Sequence, residues 1–278
     1  MFVAKTVKDM RGFIAGKGNS GSVALVPTMG ALHEGHLSLV KCAHEVADTV
    51  VMSIFVNPSQ FGVGEDFEAY PRPVERDLTL AEAAGVDCVF LPSAAEMYPE
   101  GFSSFVEIEN IGNYLCGAAR PGHFRGVATV VIKLFNIVEP DYAVFGQKDG
   151  QQVAIIEQMA EDFNLRVKII RASIVREPDG LALSSRNIYL SIEERRQAII
   201  LSEGIFLGKK LFDGGERDAE SIKAAVIAHI KKAPSAAIEY VEIVDARRLC
   251  PVKDFQNRAM LAVAVRFGTT RLIDNVIF

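Results

Sequence analysis

The sequence predicts an α/β protein: a doubly wound parallel sheet followed by a smaller α+β C-terminal domain. Two observations lead there. Short, mostly apolar, β-branched runs alternate with helical patterns through the first two thirds of the chain, as parallel strands buried on both faces should. After about Ser173 the alternation gives way to helices and then to adjacent strand-like runs. Repeated strand–helix–strand units imply right-handed crossovers, and ligands of such sheets bind beyond the carboxyl ends of the strands.

Each element has a local reason. The expected strands are residues 23–26, 50–56, 88–91, 142–145 and 167–170, rich in valine, isoleucine and phenylalanine. Between them, apolar residues recur at helical spacing over 37–47, 74–84, 127–138 and 152–162. Gly85 closes the second of these helices. A loop over 176–187 leads to a helix over 192–212, stopped by Asp213-Gly214-Gly215, and to another over 219–232. Strand-like runs at 238–244, 260–266 and 272–277 complete the pattern. The expected domains are residues 1–174 and 175–278.

Composition narrows the function classes. The formal net charge of −5, from 35 acidic and 30 basic residues, argues against a nucleic-acid partner, which normally demands a basic excess. Cys42, Cys88, Cys116 and Cys250 are far apart and form no C-x-x-C pair, so they read as reduced thiols of a cytoplasmic protein. No signal-peptide pattern opens the chain, and the most apolar stretch, 127–138, is too short to span a bilayer and contains Lys133 and Asn136. A soluble cytoplasmic protein without a membrane partner is expected.

Four segments at predicted strand ends carry candidate chemistry. Residues 27–36 read PTMGALHEGH. Gly30 and Gly35 allow close backbone approach, and the helix start beyond them offers unpaired N–H groups to phosphate. His33 and His36 would face one side of that turn and, when protonated, donate to phosphate oxygens. Their spacing is one residue short of the H-E-x-x-H zinc motif; two unrelated histidines are the plain alternative. In the segment over 54–62, Asn57 and Gln60 are neutral hydrogen-bonders suited to a hydroxy acid, or parts of a turn ended by Pro58 and Gly62. Asp77 could meet Mg²⁺ on phosphates, or be an ordinary acidic residue at an exposed helix start.

The third segment, over 145–152, places Lys148 where an ammonium neutralises phosphate. Asp149 accepts from a ribose hydroxyl or caps the next helix, and Gln152 supplements Gln60. In the fourth, over 175–187, Pro178-Asp179-Gly180 marks a turn. Ser184, Ser185 and Arg186 form a polar, cationic triplet able to close on a triphosphate. A further stretch, 120–126, joins Arg120, Gly122, His123 and Arg125, and lies near the pocket or serves as a glycine-hinged loop.

Six stretches resemble the pantothenate synthetase family, in its order and at similar separations: PTMGALHEGH (27–36), FVNPSQFG (55–62), YPR (70–72), PGHFRGVATVV (121–131), FGQKDGQQ (145–152) and REPDGLALSSRN (176–187). The C-terminal third is similar only in length and general pattern. The resemblance implies a Rossmann-like nucleotidyltransferase domain of the HIGH-motif superfamily over 1–174, a C-terminal lid domain over 175–278, and a homodimer. HEGH at 33–36 matches the HIGH motif, and LSSR at 183–186 the mobile KMSKS loop.

Carried over, the family's ATP contacts fall on Met29, Gly30, Ala31, Leu32, His33, Glu34, Gly35 and His36. Gly146, Gln147, Lys148, Asp149, Val175, Leu183, Ser184, Ser185 and Arg186 complete that site. His33, His36, Lys148, Ser184, Ser185 and Arg186 are the implied catalytic groups, with His36 the proton donor. Gln60, Gln152 and Asn57 would hold pantoate, Gln60 also lying where β-alanine enters. The implied reaction is ATP-dependent condensation of pantoate with β-alanine through pantoyl-adenylate, with ATP as substrate and Mg²⁺ as cofactor, releasing AMP and pyrophosphate. A nucleotidyltransferase acting on a phosphorylated acceptor and a non-catalytic nucleotide-binding protein are the alternatives. Three residues depart from the family pattern. Gln147 replaces a glutamate, Gly150 a larger residue and Leu183 a methionine. Gly150 is expected to loosen the start of its helix.

Overall fold

Two compact units divide the chain in the computed structural model, which describes residues 1–18, 21–252, 255 and 258–278. The first comprises Met1–Asn113, Gly117–Gly146 and Ile155–Ala172; the second comprises Tyr114–Cys116, Gln147–Ala154 and Ser173–Phe278.

In chain order the elements of the first half are β1 (Phe2–Ala4), α1 (Val7–Lys17), β2 (Val23–Thr28), α2 (Glu34–His44), β3 (Thr49–Ile54), α3 (Val74–Ala83), β4 (Cys88–Phe90), α4 (Ala94–Met97), α5 (Leu115–Ala119) and α6 (His123–Val138). There follow β5 (Tyr142–Gly146), α7 (Gly150–Asp162), β6 (Lys168–Ala172), α8 (Ile192–Ala198), α9 (Ile200–Asp213), α10 (Ala219–Ile230), β7 (Ala236–Asp245), β8 (Ala259–Phe267) and β9 (Thr270–Ile277).

The first unit is built on a six-stranded sheet, order β1-β4-β3-β2-β5-β6, in which every pairing is parallel. Every residue of β3 is buried, which is why the strand reads as a continuous apolar run. Its core joins Val26, Leu32, Leu39, Val40, Val50, Met52 and Val144. The chain runs from β2 outward through β3 and β4, then returns to place β5 on the other side of β2. The strand order therefore reverses between β2 and β5, the switch at which an open α/β sheet forms its ligand crevice.

The second unit contains an antiparallel sheet, order β7-β8-β9. Leu201 and Ile205 of α9, Ile222, Val226 and Ile230 of α10, and Leu261, Val263, Val265 and Phe267 of β8 form one buried cluster.

The expected α/β class and the change of pattern after Ser173 match the fold, and element ends differ by a few residues. Several features go beyond the sequence reading, the short helices α4 and α5 among them. β1 and α1 have no counterpart in it; Thr6 and Asp9 begin α1 with a reciprocal capping box. The single helix expected over 192–212 is two helices that meet at Ile199.

Candidate active site

The turn leaving β2 is shaped by a side chain from α3. Asp77 is 1% exposed. Its Oδ2 accepts from the Ala31 N–H and its Oδ1 from the Leu32 N–H, both at 2.8 Å. Ala31 sits in the left-handed region at φ 51°, which a residue with a Cβ keeps only where its surroundings enforce it. Asp77 is thus not the acidic residue of an exposed helix start that the sequence offered as one of two readings. It is buried and accepts from two backbone amides, and it holds the Ala31–Leu32 turn in place.

That turn delivers the chain to α2, whose N-cap is His33. His33 Nδ1 accepts from the Gly35 N–H at 3.1 Å, and His36 Nδ1 accepts from the His33 N–H at 3.3 Å. Imidazoles here satisfy donors that every helix start leaves unpaired, with ring centroids 4.1 Å apart. Because both Nδ1 atoms accept, the neutral rings carry their protons on Nε2. An imidazolium would turn an Nδ1–H against the N–H it now accepts from. The sequence reading had these rings donate when protonated; with Nδ1 accepting, a neutral ring already carries an N–H on Nε2 at the positive end of a helix.

Beyond β3, the 3-10 turn Pro58–Gln60 is organised by Asn57, which is 1% exposed. Asn57 Nδ2 donates to Gln60 Oε1 at 2.9 Å and to the Gly126 carbonyl at 3.2 Å. Its Oδ1 accepts from the Ser59 N–H, the Ser59 hydroxyl and the Tyr98 hydroxyl. Burial pushes the Tyr98 phenol pKa up, against the pull of its hydrogen bonds to Ser59 and Asn57, so it remains a donor. With both amide hydrogens used inside the protein, Asn57 aims Gln60. Gln60 Nε2 in turn donates to Met29 Sδ at 3.2 Å, a weak acceptor.

The stretch over 120–126 supports the same residue from below. Arg120 forks onto Glu65, with Nε–Oε1 and Nη2–Oε2 both at 2.6 Å, and Nη1 donates to His123 Nε2 at 3.0 Å. A guanidinium cannot accept, so the His123 proton is on Nδ1, which donates to the Gln60 carbonyl at 2.8 Å. Burial pushes the Glu65 carboxyl up, but the hydrogen bonds and charge of Arg120 outweigh it, holding the pKa at about 2 instead of 4.5. A depressed carboxyl contributes stability above its unfolded pKa and loses it as pH falls through the folded value. Glu65→Gln is therefore expected to lower the unfolding temperature at pH 6, with the gap to wild type closing between pH 4.5 and about 2. A gap constant over that range would show that Glu65 is not the titrating group.

In the second unit, the 3-10 turn Gln147–Asp149 carries Lys148 and Asp149, both half-buried, and leads into α7, which bears Gln152. The segment over 175–187 is a small hairpin. Leu183 N–H donates to the Val175 carbonyl at 3.0 Å, and Arg176 bridges Ala182. Arg195 anchors the tip through Glu177 at 2.6 Å and Asp179 at 2.8 Å. Ser184 Oγ accepts from the Arg186 N–H and caps the 3-10 helix Ser185–Tyr189. The sequence-named residues thus gather into two groups. One surrounds the ends of β2 and β3 in the first unit, and the other lies on two segments of the second.

Gly150 is buried, and a Cβ there would lie 2.7 Å from Met260 Sδ and 2.9 Å from Gln147 Nε2, so both side chains would have to shift to admit a larger residue. Gln147 Nε2 donates to Asn275 Oδ1 at 2.9 Å. These two departures from the family pattern fit together around Met260 and Asn275. The C-terminal residues had no motif to draw notice, and neither did Tyr98.

Among the described residues, no group of three or more His, Cys, Asp or Glu side chains could hold a metal. Asp77, the carboxylate that the sequence offered for Mg²⁺, accepts from the Ala31 and Leu32 amides. No helix among them is long and apolar enough to cross a membrane.

Comparison with known proteins agrees along the whole chain. Residues 2–277 match the model of the pantoate-beta-alanine ligase family. The pantothenate synthetase of Acetivibrio thermocellus is 56% identical over 278 residues, covering 100% of this chain and 99% of that protein. That of Heliobacterium modesticaldum is 52% identical over the same span. The crystal structure of pantothenate synthetase from Thermus thermophilus superposes with a TM-score of 0.95 at 43% identity, covering 99% of each chain. Pantoate-beta-alanine ligase from Francisella tularensis, complexed with beta-gamma ATP and beta-alanine, gives 0.82 at 34% identity, covering 100% of this chain and 97% of that one.

Proposed function

The chain belongs to the pantoate-β-alanine ligase family, and from that premise we propose how its residues perform the reaction. The activity joins pantoate to β-alanine in pantothenate biosynthesis. We infer that it proceeds in two steps. The pantoate carboxylate attacks the α-phosphorus of ATP, and pyrophosphate leaves with the electron pair of the broken P–O bond. The β-alanine amine then attacks the acyl carbon, loses a proton and expels AMP. The Francisella relative's complex with an ATP species and β-alanine supports this choice of substrates.

The observation that carries the reading is the imidazole pair at the start of α2, with both Nδ1 atoms tied to backbone. Neutral Nε2–H groups on a helix N-terminus stabilise phosphate charge as it develops, without giving up a proton. Gln60, aimed by Asn57, and Gln152 are the hydrogen-bonders for the hydroxyls of pantoate. Lys148, Ser184, Ser185 and Arg186 neutralise the triphosphate, and Asp149 accepts from the ribose. Neither step requires a covalent enzyme intermediate, so the work is alignment and charge stabilisation, worth about 7–11 and roughly 3–4 kcal/mol per donor respectively. A magnesium ion would enter with the triphosphate, keeping several of its waters.

Pyrophosphate release, followed with ATP and pantoate in the presence and absence of β-alanine, tests this. Multiple turnovers are expected only when all three substrates are present, with AMP released in equal amount. Sustained turnover without β-alanine, or transfer of the nucleotide to a phosphorylated acceptor, would replace the ligase mechanism by simple nucleotidyl transfer.

A further inference from the structure

Two neighbouring residues of β9, Asp274 and Asn275, are polar and nearly inaccessible, 2% and 5% exposed. Successive residues of a strand point to opposite faces, and these two reach different segments. Asp274 forms a fork with Arg176, Oδ2–Nη1 at 2.6 Å and Oδ1–Nη2 at 2.9 Å. Arg176 Nη1 also donates to the Gly180 carbonyl at 3.0 Å, so Asp274 fixes the base of the hairpin that continues into Leu183–Arg186. Asn275 Nδ2 donates to the Gln147 and Lys148 carbonyls, each at 2.9 Å, and its Oδ1 accepts from Gln147 Nε2. Both donations of that amide and the bond to its oxygen go to Gln147 and Lys148.

A sheet strand gains nothing in stability from a buried carboxylate and amide that packed apolar residues could not supply. What a fully satisfied buried polar network supplies is a unique geometry. We propose that Asp274 and Asn275 are positioning residues of the nucleotide site. They set the backbone that aims Lys148 and Asp149 on one side and Ser184–Arg186 on the other. The inference rests on the reading of these two segments as ATP-binding. It also accounts for Gln147 and Gly150, which complete the fit around Asn275.

The test uses the full chain and separates position from stability. Asn275→Asp is nearly isosteric and keeps an acceptor for Gln147, but sets a carboxylate oxygen against two carbonyls. Asn275→Ser restores a single donor. Val263→Ala, in the core beside β9, serves as the control for lost stability alone. Asn275→Asp is expected to lower kcat/KM for ATP by about tenfold or more, because an ångström of misplacement is costly in an aligned site. Asn275→Ser should fall between it and wild type, and the KM for β-alanine should not change. Val263→Ala should stay within about twofold of wild type at an equal loss of unfolding temperature. Asn275→Asp and Asn275→Ser both within about twofold of wild type, or tracking Val263→Ala, would overturn the inference. Lys148→Ala distinguishes the two levels. If it loses ATP affinity while the Asn275 variants do not, only the positioning role fails. If it behaves as wild type, the ATP assignment of the turn fails and the inference falls with it.

Discussion

His36→Ala is expected to lower the rate of pyrophosphate release by about a hundredfold to a thousandfold, the range found when one preorganised donor to developing charge is removed. Two losses occur together in that variant. Nε2–H disappears from the start of α2, and the His33 N–H loses the Nδ1 that accepts it at 3.3 Å. The second loss alone weakens a helix start by about 0.5–2 kcal/mol. Two longer substitutions separate them. Asparagine places an amide oxygen near the position of Nδ1, and glutamine reaches toward Nε2 with an N–H. His36→Asn is therefore expected to recover unfolding temperature but not rate, and His36→Gln to recover part of the rate but not stability. Single-turnover formation of the acyl-adenylate and thermal unfolding measure the two quantities. A His36→Ala enzyme within a few-fold of wild type would remove His36 from the chemistry and leave it as a helix cap.

How much of this was legible depends on the range over which each cause acts. The parallel strands were readable because burial on both faces makes each a local apolar run, as the fully buried β3 shows. The imidazole pair was readable because three-residue spacing at a helix start sets it. The tautomers were not, since they follow from which backbone N–H reaches each Nδ1. Asp77 lies 45 residues from Leu32, and nothing beside it in sequence says that its oxygens are taken. β1 is three residues long, below the length at which alternation can be read, and α1 contains Gly12 and Gly16, which dilute a helical signal. The break at Ile199 has neither proline nor glycine to mark it. Asp274 and Asn275 look like a polar interruption of a strand until their partners, 98 and 127 to 128 residues away, are seen.

Gly126→Ala should be among the most damaging single methyl groups that the first unit can receive. An alanine Cβ there would lie 2.2 Å from the Ser59 carbonyl oxygen, 2.5 Å from its carbon and 2.6 Å from the Gln60 nitrogen. All three are backbone atoms, so no side-chain rotation relieves the contact; α6 and the turn Pro58–Gln60 must part. Overpacking of this kind destabilises by about 1–3 kcal/mol or more. The functional effect should be larger, because the atoms displaced belong to Gln60. Separation breaks the bond from Asn57 Nδ2 to the Gly126 carbonyl and strains that from His123 Nδ1 to the Gln60 carbonyl. A shift of about 1 Å in such a positioning group costs on the order of a hundredfold, expected as a fall in kcat/KM for pantoate. Gly12→Ala is the counterpart, since a Cβ at that helical position meets nothing within 4 Å. It should raise stability by roughly 0.5–1 kcal/mol and leave the kinetics unchanged. Were Gly126→Ala to fold with wild-type pantoate kinetics, the contact between α6 and the Pro58–Gln60 turn could not be what holds Gln60 to its task.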